Sequence, residues 1–377
     1  MPTVAILQRI LPDYRIAFFR QLHQELALHG IDLKLFYGQE RRGTVPRTVD
    51  LVAPWAVRVK NRYWAFGDQE FVWQPVRRYL SDVDAVIVEQ ANRLLVNHYL
   101  ILRRTLNTGP RLAYWGHGKN LQAESSNSAS ERLKRRLSCQ VDWWFAYTVL
   151  SAEVAAYAGF KRERITTVQN TIDLHEFLEA KETLTEDATV SLKASLGIKT
   201  TNVCLYCGGI YPDKRIPFLL EACSKIQLRV PDFEMIIVGD GPDRHLVEAA
   251  AEIRPWLHYV GPKHGADRVP YFVISKALLM PDLVGLAVVD SFAAATPLFT
   301  TGSHKHGPEI AYLVNGVNGV STPDSVDAYA TAVAEYLRSE SLQARLQRGC
   351  LESVDKYSLE TMTNNFARGI RDWLIDL

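Results

Sequence analysis

Cysteine is scarce in this 377-residue chain. The five cysteines, Cys139, Cys204, Cys207, Cys223 and Cys350, are odd in number and irregularly spaced, which argues against a disulfide framework. Cys204 and Cys207 form a C-x-x-C inside a strand-like run. Residues three apart on a strand face opposite ways, so a shared metal or redox pair is not expected and both read as core thiols. Net charge is nearly absent too, at +1. A charge so weak and scattered excludes a nucleic-acid-binding domain. It is nevertheless uneven: residues 1–180 hold 24 Lys+Arg against 18 Asp+Glu, and the remainder 19 against 24. The first half is therefore the better candidate for an anionic surface or acceptor. No signal-peptide pattern opens the chain, because its apolar start is broken at Gln8 and Arg9. The most hydropathic stretch, 277–299, contains Pro281, Asp282, Asp290 and Pro297. Each central Asp would cost about 3 kcal/mol in a bilayer, so a buried strand–helix–strand is expected there. There is no internal repeat and no low-complexity tract.

The composition is that of a soluble globular protein, with 47% hydrophobic and 23% charged residues, and the length exceeds what one core usually supports. Short β-branched runs alternate with longer amphipathic ones. Val4–Gln8, Leu33–Tyr37, Ala85–Glu89, Leu112–Trp115 and Trp144–Tyr147 read as strands, and Ile16–Leu28, Asn97–Leu106, Ala129–Leu137 and Ala152–Tyr157 as helices. The pattern restarts with strands at Val203–Cys207, Glu234–Val238, Leu257–Val260, Ala277–Met280 and Leu298–Thr300. Their helices are Pro217–Gln227, Asp243–Ala251, Val269–Ser275, Gly285–Ala295 and Ser325–Leu337. Between the sets, residues 179–199 are polar and read as a linker with one short helix. The expectation is α/β: two doubly wound parallel-sheet domains, 1–178 and 200–356, then a helix over Ser358–Trp373. Such sheets bind ligands at their strand C-terminal ends, here across a cleft between the domains.

The chemistry concentrates in Pro281–Thr301. Asp282 follows an apolar strand, Gly285 opens a helical run, and Asp290 lies eight positions after Asp282. Amides at a helix start suit phosphates, and carboxylates accept from sugar hydroxyls. The alternative is that Asp282 caps the helix and Asp290 is a solvated helix residue. A glycine pair, Gly208 and Gly209, ends another strand and precedes Lys214 and Arg215, which allows close backbone approach to phosphate and supplies a point charge. Gly239-Asp240-Gly241 forms a further glycine-rich turn, and His117 sits between two glycines after a strand end.

Asp282-Leu-Val-Gly285-Leu286-Ala-Val-Val-Asp290-Ser-Phe-Ala-Ala-Ala-Thr296-Pro297 resembles the donor-site run of the retaining GT-B glycosyltransferases of family 4, E-G-F-G-L-x-x-x-E-A-x-A-x-G-x-P. The acid spacing is kept, with aspartates for both glutamates. Gly208-Gly209 through Lys214-Arg215 resembles the family's G-R-L then K-G, with Gly209 at the Arg position. Val238-Gly239-Asp240-Gly241-Pro242 resembles V-G-D-G-P, and Pro308-Glu309-Ile310 followed by Asn315-Gly316 resembles the family's P-E-I and N-G. Val168-Gln-Asn170-Thr171-Ile172-Asp173 is similar to N-G-V-D and is expected to be architectural. The resemblance implies a two-domain GT-B enzyme whose last helix crosses back to the first domain. It implies catalytic roles for His117, Lys214 and Asp282. It implies donor binding by Gly208, Gly209, Arg215, Gly239, Asp240, Gly241, Gly285, Leu286, Asp290 and Glu309.

The implied co-substrate is a UDP- or GDP-linked sugar, with no other cofactor and no required metal. The implied acceptor is a saccharide or lipid-linked glycan of surface polysaccharide assembly, and nucleic acid is not a partner. His304 and His306, two apart, lack a third ligand nearby, and a polar loop is the reading taken. The aromatic and basic mixture over Trp55–Trp73 suits sugar stacking, a membrane interface or, by default, a packed loop. Ser130–Arg136 reads as a solvated helix face, with anionic lipid as its alternative. The expected location is cytoplasmic, with a peripheral membrane contact through the N-terminal domain left open. A GT-B sugar epimerase and a non-catalytic GT-B-like binding subunit remain the alternatives.

Overall fold

The computed structural model describes all residues except 44–47, 68, 119–139, 304 and 376–377. The expected helix Ala129–Leu137, the basic run Ser130–Arg136, Cys139 and His304 lie outside the described residues. The chain divides into two units: Met1–Asp173 with Leu359–Leu377, and Leu174–Ser358.

In the first unit the strands are β1 (Thr3–Gln8), β2 (Asp32–Tyr37), β3 (Ala56–Arg58), β4 (Arg62–Phe66), β5 (Gln69–Trp73), β6 (Ala85–Glu89), β7 (Arg111–Gly116), β8 (Trp143–Ala146) and β9 (Ile165–Thr167). Seven of them form a parallel sheet in the order β3-β2-β1-β6-β7-β8-β9, while β4 and β5 pair antiparallel. Alternate residues of β1 feed opposite faces. Val4 and Ile6 join a cluster with helices Ile16–Leu28 and Leu359–Ile375, while Ala5 and Leu7 join one with helix Leu95–Thr105. A sheet covered on both faces explains why these strands are apolar throughout rather than alternating. Phe366 stacks on Phe145, with ring centroids 4.5 Å apart, so the last helix completes the core of the first unit.

The second unit contains β10 (Val203–Cys207), β11 (Glu234–Val238), β12 (Leu257–Gly261), β13 (Ala277–Leu279), β14 (Leu298–Thr301) and β15 (Gly319–Thr322). They form one parallel sheet in the order β12-β11-β10-β13-β14-β15. Strand order reverses between β1 and β6 in one sheet and between β10 and β13 in the other, the positions where doubly wound sheets bind ligands.

Two expectations are corrected. Residues 179–199 are not a linker. They belong to the second unit and are mostly helical, in His175–Thr183 and Glu186–Ser195, and the Thr185 hydroxyl caps the latter by accepting from the Ala188 amide. Residues 55–73 are not a packed loop but β3 and the β4–β5 hairpin, on which Trp64 is 42% and Phe66 69% exposed.

Candidate functional site

Two strand ends in the second unit meet as glycine turns. After β10, the Gly208 amide donates to Val238 O at 3.0 Å, and the Tyr206 hydroxyl donates to Gly209 O at 2.6 Å. After β11, Gly239 (φ 153°) and Gly241 (φ 157°) press against this turn. A Cβ on Gly239 would stand 1.9 Å from Gly208 O, and one on Gly241 would stand 2.1 Å from Ile210 O. Only glycine fits either position. The turns open a cavity of about 610 Å³ lined by Gly208, Gly209, Gly239, Asp240 and Asp290, together with Arg268, Lys263 and His264. Gly241 is not on its wall and acts by seating the turn.

Asp290 is not a solvated helix residue. It is 4% exposed, in the first turn of helix Ala287–Ala294. Arg268 grips it bidentately, NH1 to Oδ2 at 2.5 Å and NH2 to Oδ1 at 2.8 Å. Burial pushes the Asp290 carboxyl above its ordinary value, and the Arg268 guanidinium pulls it back. Arg268 also lies over the Phe177 ring, 5.4 Å from its centroid. Sequence reasoning missed Arg268, which stands 22 positions before Asp290 on a single 3₁₀ turn, Gly265–Arg268. Its one sequence signal was a lone Arg next to a glycine turn.

A second cluster gathers behind Met280. Lys214 is 8% exposed, and its ammonium donates to Leu283 O at 2.6 Å and lies 3.9 Å from Met280 Sδ. Burial pulls its pKa down to about 8, with Asp282 opposing. Asp282 is 1% exposed, and its Oδ1 accepts from the Leu283 amide at 2.7 Å. It does not cap the helix, whose N-cap is Leu286 with no side-chain bond. The helix starts at Ala287 rather than Gly285, because Leu283 (φ 48°) turns the chain first.

Arg215 stands between a 3₁₀ turn, Pro212–Lys214, and helix Ile216–Arg229. It is left-handed (φ 52°), and this turns its side chain to Asp324, at 2.7 Å, and to within 3.9 Å of Asp282 Oδ2. His306 lies in a loop, as expected, but is itself buried. It is 8% exposed, its Nδ1 accepts from the Val284 amide at 3.1 Å, and its Nε2 donates to Thr301 O at 2.8 Å. It thus ties the Asp282–Gly285 turn to β14. Glu309 is buried beside Gly307, where a Cβ would meet Glu309 Oε2 at 2.8 Å and Gly285 Cα at 3.3 Å.

The second unit therefore assembles the predicted residues in two neighbouring sets. Gly208, Gly209, Gly239, Asp240 and Asp290 line the cavity. Lys214, Arg215, Asp282, Gly285, Leu286 and Glu309 build the turn before its helix. Met280 touches both sets: its Cε lies 3.5 Å from the place of a Gly208 Cβ.

His117 belongs to the first unit, just after β7, with its ring edge-on to Tyr147 at 6.1 Å. Asn170 is buried and accepts from Arg15 at 2.5 Å, an architectural role. Glu89, at the end of β6, was not anticipated. Burial pushes its carboxyl up while the Arg9 amide donates to it at 2.6 Å. Cys204 and Cys223 are buried and free. Cys207 is also free, and burial pushes its thiol up to about 12.

Residues 201–339 match the family model of glycosyl transferases group 1. The chain is 26% identical over 162 residues to a phosphatidyl-myo-inositol mannosyltransferase of Mycolicibacterium smegmatis, covering 42% of this chain and 41% of that protein. It is 22% identical over 232 residues to a lipopolysaccharide 1,2-N-acetylglucosaminetransferase of Salmonella typhimurium, covering 57% and 60%. The chain thus spans about half the length of the curated relatives it matches. Among solved structures, Anabaena HepE in complex with UDP superimposes with a TM-score of 0.69 at 14% identity, covering 98% of this chain and 100% of that one. The sucrose-phosphate synthase of Thermosynechococcus elongatus gives a TM-score of 0.69 at 13% identity, with both chains fully covered. The fold is GT-B.

Proposed function

Starting from a second unit that carries a glycosyl transferases group 1 domain, we propose that the protein is a retaining glycosyltransferase. It moves a sugar from a UDP- or GDP-linked donor to a hydroxyl of a saccharide or lipid-linked acceptor. The observation that carries this reading is the glycine-walled cavity of about 610 Å³ lined by the buried Asp290 carboxylate, with the buried Lys214 ammonium and Asp282 carboxylate in the neighbouring cluster behind Met280. A nucleotide fits the cavity, its diphosphate facing the Gly208-Gly209 turn and the turn before helix Ala287–Ala294.

Lys214 meets the charge that builds on the departing diphosphate, and no bound metal is required for that. Asp282 orients the sugar and Asp290, held by Arg268, orients the ribose, with Asp240 on the facing turn. Arg215, Leu286 and Glu309 hold the turn in shape. Among these residues none is placed as a covalent nucleophile. The acceptor oxygen therefore attacks C1 on the face the phosphate leaves: the C1–O(phosphate) bond breaks, the C1–O(acceptor) bond forms, and the acceptor proton passes to the departing phosphate oxygen. Relatives named for lipopolysaccharide and phosphatidyl-myo-inositol support a saccharide or lipid-linked acceptor; surface-glycan assembly, in the cytoplasm and peripherally on the inner membrane face, is part of the same proposal.

A thermal-shift screen of nucleotide diphosphates and their sugars tests the donor site. A clear preference for one base is expected, and no shift with any of them would overturn the reading. Incubation with the preferred nucleotide sugar alone then separates the enzymes, since epimer formation would make the protein an epimerase; binding without hydrolysis, and without transfer once saccharide or lipid-linked acceptors are added, would make it a non-catalytic subunit.

A further inference from the structure

We propose that the first unit carries a preformed seat for an anionic group, phosphate or carboxylate, on the acceptor. Its assignment to an acceptor rests on the glycosyl-transfer reading; the anion seat does not. A cavity of about 620 Å³ opens where β2 and β3 end. Four cations line it, Arg41, Arg42, Arg58 and Lys60, against one carboxylate, Glu40. Arg58 is paired with Asp50 at 2.7 Å and Arg41 with Glu70 at 3.6 Å. Among the described residues no carboxylate lies within ion-pair distance of Arg42 or Lys60, so their charge is available to a ligand.

The wall behind these cations is fixed. Asn61 is 5% exposed, and its amide donates to Arg9 O at 2.8 Å and to Gln39 O at 3.0 Å. Gln39 and Asn61 also exchange side-chain-to-backbone bonds, at 3.0 and 3.2 Å. Asn61 fills the space over Gly38, where a Cβ would stand 2.1 Å from its side-chain nitrogen. The Asn61 amide oxygen is buried and has no hydrogen-bond partner among the described residues. Asn61 thus backs the cations from within, and Tyr63 adds an aromatic wall. Carboxyl ends of parallel strands are where open α/β sheets take ligands, and guanidinium forks suit phosphate and carboxylate oxygens. A ring of cations on a rigid wall favours a charged sugar over a neutral one.

The test uses the full chain with UDP present, following three probes by saturation-transfer NMR: glucose 6-phosphate, methyl glucuronide and neutral methyl glucoside. Wild type is expected to bind one or both anionic probes and to lose them as salt is raised. The double variant Arg42→Ala, Lys60→Ala should weaken anion binding at least about tenfold while leaving the thermal shift with UDP unchanged. A preference for glucose 6-phosphate assigns a phosphate, a preference for the glucuronide assigns a carboxylate, and either supports the seat. Equal binding of charged and neutral probes, or undiminished anion binding in the double variant, overturns it. Absence of a thermal shift with both UDP and GDP in wild type would count against the transferase reading alone, because the anion probes report on the first unit independently.

Discussion

An ammonium placed out of water is held there at a cost, and Lys214 bears that cost. Its pKa falls from 10.5 to about 8 because burial disfavours the charged form. Between those two values the unfolded chain holds a proton that the folded protein has released, so stability rises with pH across that window. Below about pH 8 the folded protein keeps the charge and its desolvation penalty. Donor affinity should follow the opposite course, weakening as pH rises through about 8, and Lys214→Met should abolish that dependence; isothermal titration with the nucleotide sugar at pH 6.5 and 9 reads both. Lys214→Ala should lower kcat by roughly 100-fold or more, the size expected for removing one preorganised charge, with an unchanged or raised Tm. Full turnover in this variant would remove Lys214 from the site. Arg268→Ala leaves a buried Asp290 without its partner, and a loss on the order of 3 kcal/mol is expected in urea unfolding. Adding EDTA to the assay should leave turnover as it was.

At the scale of elements, the glycine turns are held to tighter tolerances than the side chains around them. Gly241→Ala should reduce nucleotide binding although Gly241 touches no ligand, because the turn must retreat from Ile210 O; a thermal shift with UDP checks it. Elements built on uninterrupted apolar runs were legible in the sequence. Strands Ala85–Glu89, Val203–Cys207 and Glu234–Val238 and helix Ile16–Leu28 stand where periodicity put them, since burial on both faces leaves little room for polar interruption. Strands β3, β9 and β15 were not: they are three or four residues long and, unlike the equally short β8 and β13, include polar or charged residues or glycine in place of a continuous apolar run. The β4–β5 hairpin was obscured because Trp64 and Phe66 are exposed, against the usual sense of aromatic residues. In the site, glycines and acids at fixed spacing were legible, whereas Arg268, Glu89 and the burial of His306 were not. Those three depend on which strands lie side by side, and no local pattern records that.

At the scale of the whole molecule, the first unit is assembled from both ends of the chain. Met362, Phe366, Ile370 and Trp373 are fully buried against residues from the first 170 positions. Removing one buried Phe or Trp side chain costs about 3–5 kcal/mol, against a usual total of 5–15 kcal/mol. Truncation after Ser358 should therefore abolish the unfolding transition of the first unit in calorimetry, while that of the second, continuous from Leu174 to Ser358, persists. Survival of both transitions would mean that the helix is dispensable. The same threading sets an order in time. A ribosome delivers the first sheet early and the helix that covers one of its faces last, after all of residues 174–358 have emerged. At ordinary translation speeds that interval is roughly 10–40 s, during which Phe18, Phe145 and Trp115 lack their last neighbour. The nascent chain, rather than the finished protein, is where this molecule is most in need of a chaperone.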